Sequence, residues 1–169
     1  MTFLENHDTN RFNEIYKNDF QKYQMGLTLI ATTRGIPQIY YGSEIGMMGN
    51  KDKGDADIRR DFPGGWKSDA NNAFTASGRT AEQNKFFDFT SKLLNWRKKN
   101  TAVHFGKLKH YIPENNVYVY FRYTDDQSVM VLINNSDQKQ SVKTNRFAES
   151  IQNHEAVYDV LSQKRYPLP

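Results

Sequence analysis

Two patterns place this chain in a mixed class, α/β followed by all-β. Over residues 2–42 a short apolar segment, a helical stripe and a second apolar segment follow one another, the order of a βαβ unit. From residue 103 the hydrophobic period changes to two, the mark of antiparallel strands. The two patterns meet near residue 101, which divides the chain into residues 1–101 and 102–169.

The elements follow in order. Thr2-Phe3-Leu4 reads as the end of a short buried strand, and Asn6 to Asn18 as a polar loop. Phe20, Tyr23, Leu27, Ile30 and Ala31 recur at helical spacing and predict a helix over 20–33, with Gly35 as its C-cap. Gly35-Ile-Pro-Gln-Ile-Tyr-Tyr-Gly42 is apolar without alternation, which suits a strand buried on both faces and parallel to the first. Pro37 restricts that strand to start near the proline. Residues 46–79 hold most of the glycines and many Asp and Asn, and predict a long irregular loop.

A second helix is better specified. Thr80-Ala-Glu-Gln83 has capping-box spacing. Phe86, Phe89, Leu93 and Trp96 form one stripe, and Arg97, Lys98 and Lys99 sit where the helix dipole favours cations. Asn100 is placed to close the helix. Beyond it, Val117, Val119, Phe121 and Tyr123 alternate with Tyr118, Tyr120 and Arg122. Asp125-Asp126-Gln127 predicts a hairpin connection to Ser128–Asn134. Lys139–Thr144 and Ala156–Leu161 are weaker strand candidates.

Composition narrows the function classes. The chain has 169 residues, 37% hydrophobic and 25% charged, so disorder is not indicated. Aromatics reach 14%, and Tyr and Phe must supply much of the buried area. The net charge is +4 without a long basic block, and no nucleic-acid module is visible, so no nucleic-acid partner is expected. There is no cysteine, hence no disulfide or thiolate metal site. No apolar run approaches membrane-helix length, and no membrane partner is expected.

The richest chemistry lies in Glu5-Asn6-His7-Asp8, with Arg11 close behind. Directly after a buried parallel strand, such side chains project from the strand's carboxyl end, where ligands gather in α/β proteins. Asp accepts hydrogen bonds or stabilises positive charge, and neutral His donates through one ring nitrogen; together they can grip vicinal sugar hydroxyls. The competing reading is an ordinary loop in which Asn6 and Asp8 make Asx turns. Glu5 flanks the motif, and strand alternation points it away from Asn6. Trp66 lies in the long loop and offers an apolar ring face to a pyranose. Asn50–Asp57 carries hard oxygen donors but not the EF-hand order, and a solvated Asp/Gly loop is the simpler reading.

Two of these stretches resemble a known family. Phe3-Leu4-Glu5-Asn6-His7-Asp8 is similar to the fourth signature region of the α-amylase family, glycoside hydrolase family thirteen. Gly35-Ile-Pro-Gln-Ile-Tyr-Tyr-Gly-Ser-Glu44 is similar to its eighth-strand signature. Asp57-Ile-Arg-Arg-Asp-Phe-Pro-Gly-Gly-Trp66 resembles the neopullulanase and cyclomaltodextrinase-like branch, particularly its Bacteroides-type members. The resemblance implies the last two strand–helix units of a (β/α)8 TIM barrel in residues 1–101. It implies a C-terminal antiparallel β-sandwich domain, itself truncated, in 102–169.

The resemblance also implies roles. Asp8 matches the third catalytic carboxylate, which binds the hydroxyls of the sugar at the bond to be cut and helps distort it towards an oxocarbenium-like transition state. His7 matches a residue that hydrogen-bonds the same sugar. Asn6, Arg11 and Trp66 are further substrate-binding candidates. Glu44 matches a position that is not the proton donor, and a structural carboxylate is the simpler reading. Retaining glycosidases need a nucleophile and an acid/base about 5–5.5 Å apart, and in the family both lie on earlier strands. The 169 residues alone are therefore expected to be inactive.

The implied partner is an α-glucan oligosaccharide. No cofactor is required by these residues, while calcium stays open for a longer parent. The implied setting is periplasmic or extracellular, with a cytoplasmic one left open. Two barrel strands leave an exposed edge, so self-association of the chain is expected. Hydrolase and transferase both remain open, because related members share these motifs. A non-catalytic glucan-binding module and a non-enzymatic amylase-like domain are the alternatives from other classes.

Overall fold

The structure is a computed structural model, and it describes residues 1–151 and 154–168. Two compact units divide the chain. The first comprises residues 1–31 and 35–95, and the second residues 32–34 and 96–169.

In the first unit, α1 (Phe12–Ile15) is a single turn and α2 (Phe20–Thr32) is the first long helix. The carboxylate of Asp19 accepts the amides of Gln21 at 2.8 Å and Lys22 at 3.2 Å, which starts α2. The predicted stripe is the buried one: Tyr23, Leu27, Ile30 and Ala31 all face inward. The two expected parallel strands are reduced to one parallel bridge between Thr2 and Pro37. The Thr2 amide donates to Ile36 at 3.0 Å, and the Gln38 amide returns to Thr2 at 2.8 Å. Among the described residues no strand lies beside this pair to extend its ladder, and it runs no further as regular strand.

The segment 46–79, expected to be irregular, holds a short turn at Lys51–Lys53 and the one-turn helix α3 (Asp55–Ile58), and a further short turn at Ser43–Ile45 precedes it. Gly49 is needed where this loop touches residues 57–58. A Cβ there would lie 2.5 Å from the Asp57 carbonyl oxygen and 2.9 Å from the Ile58 Cα.

Helix α4 (Ala81–Lys98) opens with the predicted capping box. Thr80 Oγ1 accepts the Gln83 amide at 3.1 Å, and Gln83 Oε1 accepts the Thr80 amide at 2.9 Å. Phe86 and Phe89 pack on Phe20 and Tyr23, with ring centroids 4.8–6.5 Å apart. The Tyr23 hydroxyl meets Thr90 Oγ1 at 2.8 Å inside this cluster, and burial pushes the Tyr23 phenol well above its usual range. Burying one such ring stabilises by roughly 1.5–3 kcal/mol.

In the second unit Asn100 does more than close α4. Its Oδ1 accepts the Val103 amide at 3.0 Å and so caps α5 (Thr101–Phe105). Strands β1 (Lys107–His110), β2 (Val117–Tyr123) and β3 (Ser128–Asn134) form an antiparallel sheet in that order. Tyr123 pairs with Ser128, so the hairpin turns at the predicted place. Val117, Val119 and Phe121 pack on Phe147 beside the single turn α6 (Ala148–Ile151).

On the other face of β2, Tyr120 and Arg122 are also buried, and Tyr118 is half-buried. The Tyr120 hydroxyl lies 2.6 Å from Thr32 Oγ1, and burial pushes its pKa up to about 12. Arg122 donates to the carbonyls of Thr32, Thr33 and Gly106 at 2.8–2.9 Å. Lys139–Thr144 is not a strand. Side-chain bonds among Asn134, Ser136, Gln138 and Gln140 divert the chain there, before the turn at Thr144–Phe147. The last expected strand is β4 (Ala156–Asp159), shorter than its prediction, and it pairs with β5 (Lys164–Pro167). The chain thus passes from an α/β unit to an antiparallel one.

Candidate active site

The site grows from a strand end that separates two kinds of charge. Glu5 is 1% exposed and Arg11 fully buried. Glu5 Oε1 accepts Arg11 Nη1 at 3.2 Å and the Ser43 hydroxyl, while Oε2 accepts the Phe12 amide. Arg11 also donates to the Tyr41 carbonyl at 2.6 Å and to the Ile58 carbonyl at 3.0 Å, and its guanidinium lies 3.9 Å from the Tyr40 ring centroid. The Arg11 amide donates to Gly49 at 2.9 Å. One buried ion pair therefore ties together the strand end, the Tyr40–Ser43 segment and the Gly49–Ile58 loop. Arg11, expected at the rim, is internal. Its long stem and fork found partners up to 47 residues away, which local pattern does not show.

Between these two residues the chain turns outward. Asn6 Oδ1 accepts the Asp8 amide at 2.8 Å, an Asx turn, and the Asn6 amide donates to Thr9 Oγ1 at 3.0 Å. Asn6 thus shapes the turn that presents His7 and Asp8. Their side chains are 62% and 61% exposed, with His7 Nε2 3.1 Å from Asp8 Oδ2. The pair offers an acceptor and an adjacent ring nitrogen within one hydroxyl's reach, the arrangement that binds a diol.

A third group was missed from sequence. Arg59 donates through Nη2 to Asp8 Oδ1 at 3.0 Å and through Nε to the His7 carbonyl at 2.9 Å. Its sequence signals were its place in the family-like stretch 57–66 and the i,i+4 spacing to Asp55, with which it pairs at 2.9 Å. Trp66 is 62% exposed within its own loop, where Nε1 donates to Asp61 Oδ2 and the amide to Asp69 Oδ2.

The remaining acids are engaged. Glu44 is half-buried, and burial raises its carboxyl above the usual range although backbone amides at Glu44 and Gly42 pull the other way. In the 50–57 loop, Asp57 is held below the usual range by the Asn50 amide and then by Arg60, and Asp55 by Lys51 and then Arg59. Asn50 Oδ1 accepts the Asp52 amide. Among the described residues no three His, Asp or Glu side chains are placed to hold a metal ion. Nor is any described helix long and apolar enough to cross a membrane.

Known proteins share this chain's features. The family described as the cyclo-malto-dextrinase C-terminal domain matches residues 108–169. The chain is 34% identical over 134 residues to a cyclomaltodextrin glucanotransferase of Niallia circulans, covering 79% of this chain and 16% of that protein. It is 32% identical over 142 residues to neopullulanase 2 of Thermoactinomyces vulgaris, covering 82% and 21%. Among solved structures, an α-amylase from Anoxybacillus superposes with a TM-score of 0.73 at 22% identity, over 98% of this chain and 33% of that one. An α-amylase from H. orenii gives 0.63 at 29% identity, over 78% and 29%. The chain thus spans between a sixth and a third of these relatives' lengths. The chain is thus similar over most of its length to proteins of the α-amylase family, glycoside hydrolase family thirteen, and its residues 108–169 match a C-terminal domain of such proteins.

Proposed function

We propose that these residues form part of a retaining glycoside hydrolase acting on α-glucosidic bonds of starch, maltooligosaccharides or related glucans. Residues 1–101 supply the last two strand–helix units of its (β/α)8 barrel, and 102–169 its antiparallel β-sandwich domain. Asp8 stabilises the oxocarbenium-like transition state, and His7 binds the same sugar. The observation that carries this is the exposed His7–Asp8 pair, displayed on a turn whose base is fixed by the buried Glu5–Arg11 pair. The names of the relatives, a glucanotransferase and a neopullulanase among them, support an α-glucan as the ligand. Asn6 and Arg11 serve the site by shaping and anchoring it, and Trp66 offers a stacking face. No cofactor is needed by these residues. The exposed Phe3 and Ile36 flank the single parallel bridge and favour self-association through that edge.

In this reading the nucleophile and proton donor come from residues outside these 169. The purified chain then shows no maltooligosaccharide hydrolysis. Added maltotetraose shifts the His7 and Asp8 amide resonances in a heteronuclear NMR titration. Asp8-dependent hydrolysis, or saccharide shifts confined to residues 108–168, would overturn the assignment. The exposure of Trp66 favours a second reading, a non-catalytic glucan-binding module. In that case Trp66→Ala abolishes the titration and Asp8→Asn leaves it intact.

A further inference from the structure

Buried polar atoms in a folded chain are met by protein groups or by ordered water. Among the described residues, six buried side-chain polar atoms have no protein partner, and four of them lie within residues 11–18. These are Arg11 Nη2, Asn13 Oδ1 and Nδ2, and Asn18 Oδ1. Asn13 is the extreme case. It is 1% exposed, and neither polar atom of its side-chain amide is bonded.

The local structure turns this amide inward. Asn13 is the second residue of the single turn α1, in which the larger apolar side chains of Ile15 and Tyr16 are the exposed ones. An ordinary amphipathic turn does the reverse. The chain then bends back through Lys17 and Asn18, both at positive φ (50° and 59°), and the Asn18 amide donates to the Asn13 carbonyl at 2.7 Å. Asn tolerates this conformation better than most residues. Asn18 Oδ1 lies against Gly46, where a Cβ would come within 3.1 Å of it and 3.3 Å of the Phe86 ring. One backbone bond therefore closes a loop whose buried side carries amide groups rather than apolar ones.

The chemistry of the unmet atoms selects the ligand. A side-chain amide offers both an acceptor oxygen and a donor nitrogen. A cation meets only the two Oδ1 atoms and is repelled by Asn13 Nδ2 and by the Arg11 guanidinium. An anion meets only the donors, leaves both oxygens unmet, and is opposed by Glu5, whose carboxylate lies 3.2 Å from Arg11 Nη1. A small neutral molecule that donates and accepts meets both kinds of atom, and an interior water typically makes about three such bonds.

We propose that the 13–18 turn is an internal water-binding site, in which a long-lived water bonds the Asn13 amide and Asn18 Oδ1. The site stands apart from any saccharide reading. It begins two residues after Arg11, so the bound water belongs to the scaffold on which the His7–Asp8 turn is built.

The test detects water directly on the 15N-labelled 169-residue chain. The Asn13 side-chain NH2 protons show cross-peaks to the water resonance, with the NOE sign of a water that outlives molecular tumbling. Relaxation dispersion of 17O counts long-lived waters: Asn13→Leu, similar in size and without polar atoms, loses at least one, and Asn145→Leu at an exposed position loses none. Replacing sodium chloride by potassium chloride or sodium sulfate leaves the Asn13 signals in place. Absent cross-peaks, an unchanged count in a folded Asn13→Leu chain, or Asn13 signals that follow the identity of the salt each overturn the proposal. If Asn13→Leu does not fold, the cross-peaks and the salt series of the unsubstituted chain decide.

Discussion

Within seven consecutive residues the chain builds two carboxylate-centred pairs of opposite character. Glu5 and Arg11 are 1–2% exposed and bond to each other inside a net of backbone carbonyls and an amide. His7 and Asp8, between them, are about three-fifths exposed, held by an Asx turn and the Arg59 fork. The residue types are alike; the difference is burial. In a dry setting the charges must be paired and bonded, and the pair becomes scaffold. In water the same chemistry contributes little to stability and stays available to a ligand. In the proposed reading the buried pair supplies the rigidity, and the exposed pair the function.

The comparison makes predictions of graded size. The largest concerns the scaffold. Arg11→Met leaves Glu5 buried without its cation and costs about 3–5 kcal/mol, read as a lower denaturant midpoint. Adding Glu5→Gln recovers part of that loss, because the uncompensated charge is gone. A loss under about 1 kcal/mol from Arg11→Met would put the pair in the weak class of surface bridges.

A smaller effect concerns Glu44, whose carboxyl burial raises above its unfolded value. The sign follows from linkage: the charged form is the disfavoured one in the fold. Stability is full below the unfolded carboxylate pKa and declines as pH rises through the higher folded one. Glu44→Gln removes this decline, and denaturation measured across the acid-to-neutral range shows a flatter pH profile for that variant. An unchanged profile contradicts the assignment of burial as the cause.

Legibility in the sequence followed the range of the interactions. The Thr80–Gln83 capping box, the turn between Tyr123 and Ser128 and the buried stripes of α2 and α4 depend on neighbours a few residues apart, and composition and spacing display them. The adjacency of His7 and Asp8 was equally plain. Arg11 and Arg59 were misjudged or missed because some of their partners lie as far as 47 and 52 residues away. Alternation in β2 was plain, but not that Tyr120 and Arg122 on its second face are also buried, bonding to residues 32–33 far off in sequence. Lys139–Thr144 was read as a weak strand, but the preceding Asn134 and Ser136 side chains both bond the Gln138 carbonyl just before it and turn the chain there.

The division between scaffold and working pair is tested most directly by Asp8→Asn, with unfolding midpoint and maltotetraose affinity measured on the same preparation. The account predicts an unfolding free energy within about 0.5 kcal/mol of the original, as for ordinary surface changes, together with loss of saccharide binding. A fall in stability comparable to that of Arg11→Met, or affinity equal to the unsubstituted chain, would contradict it.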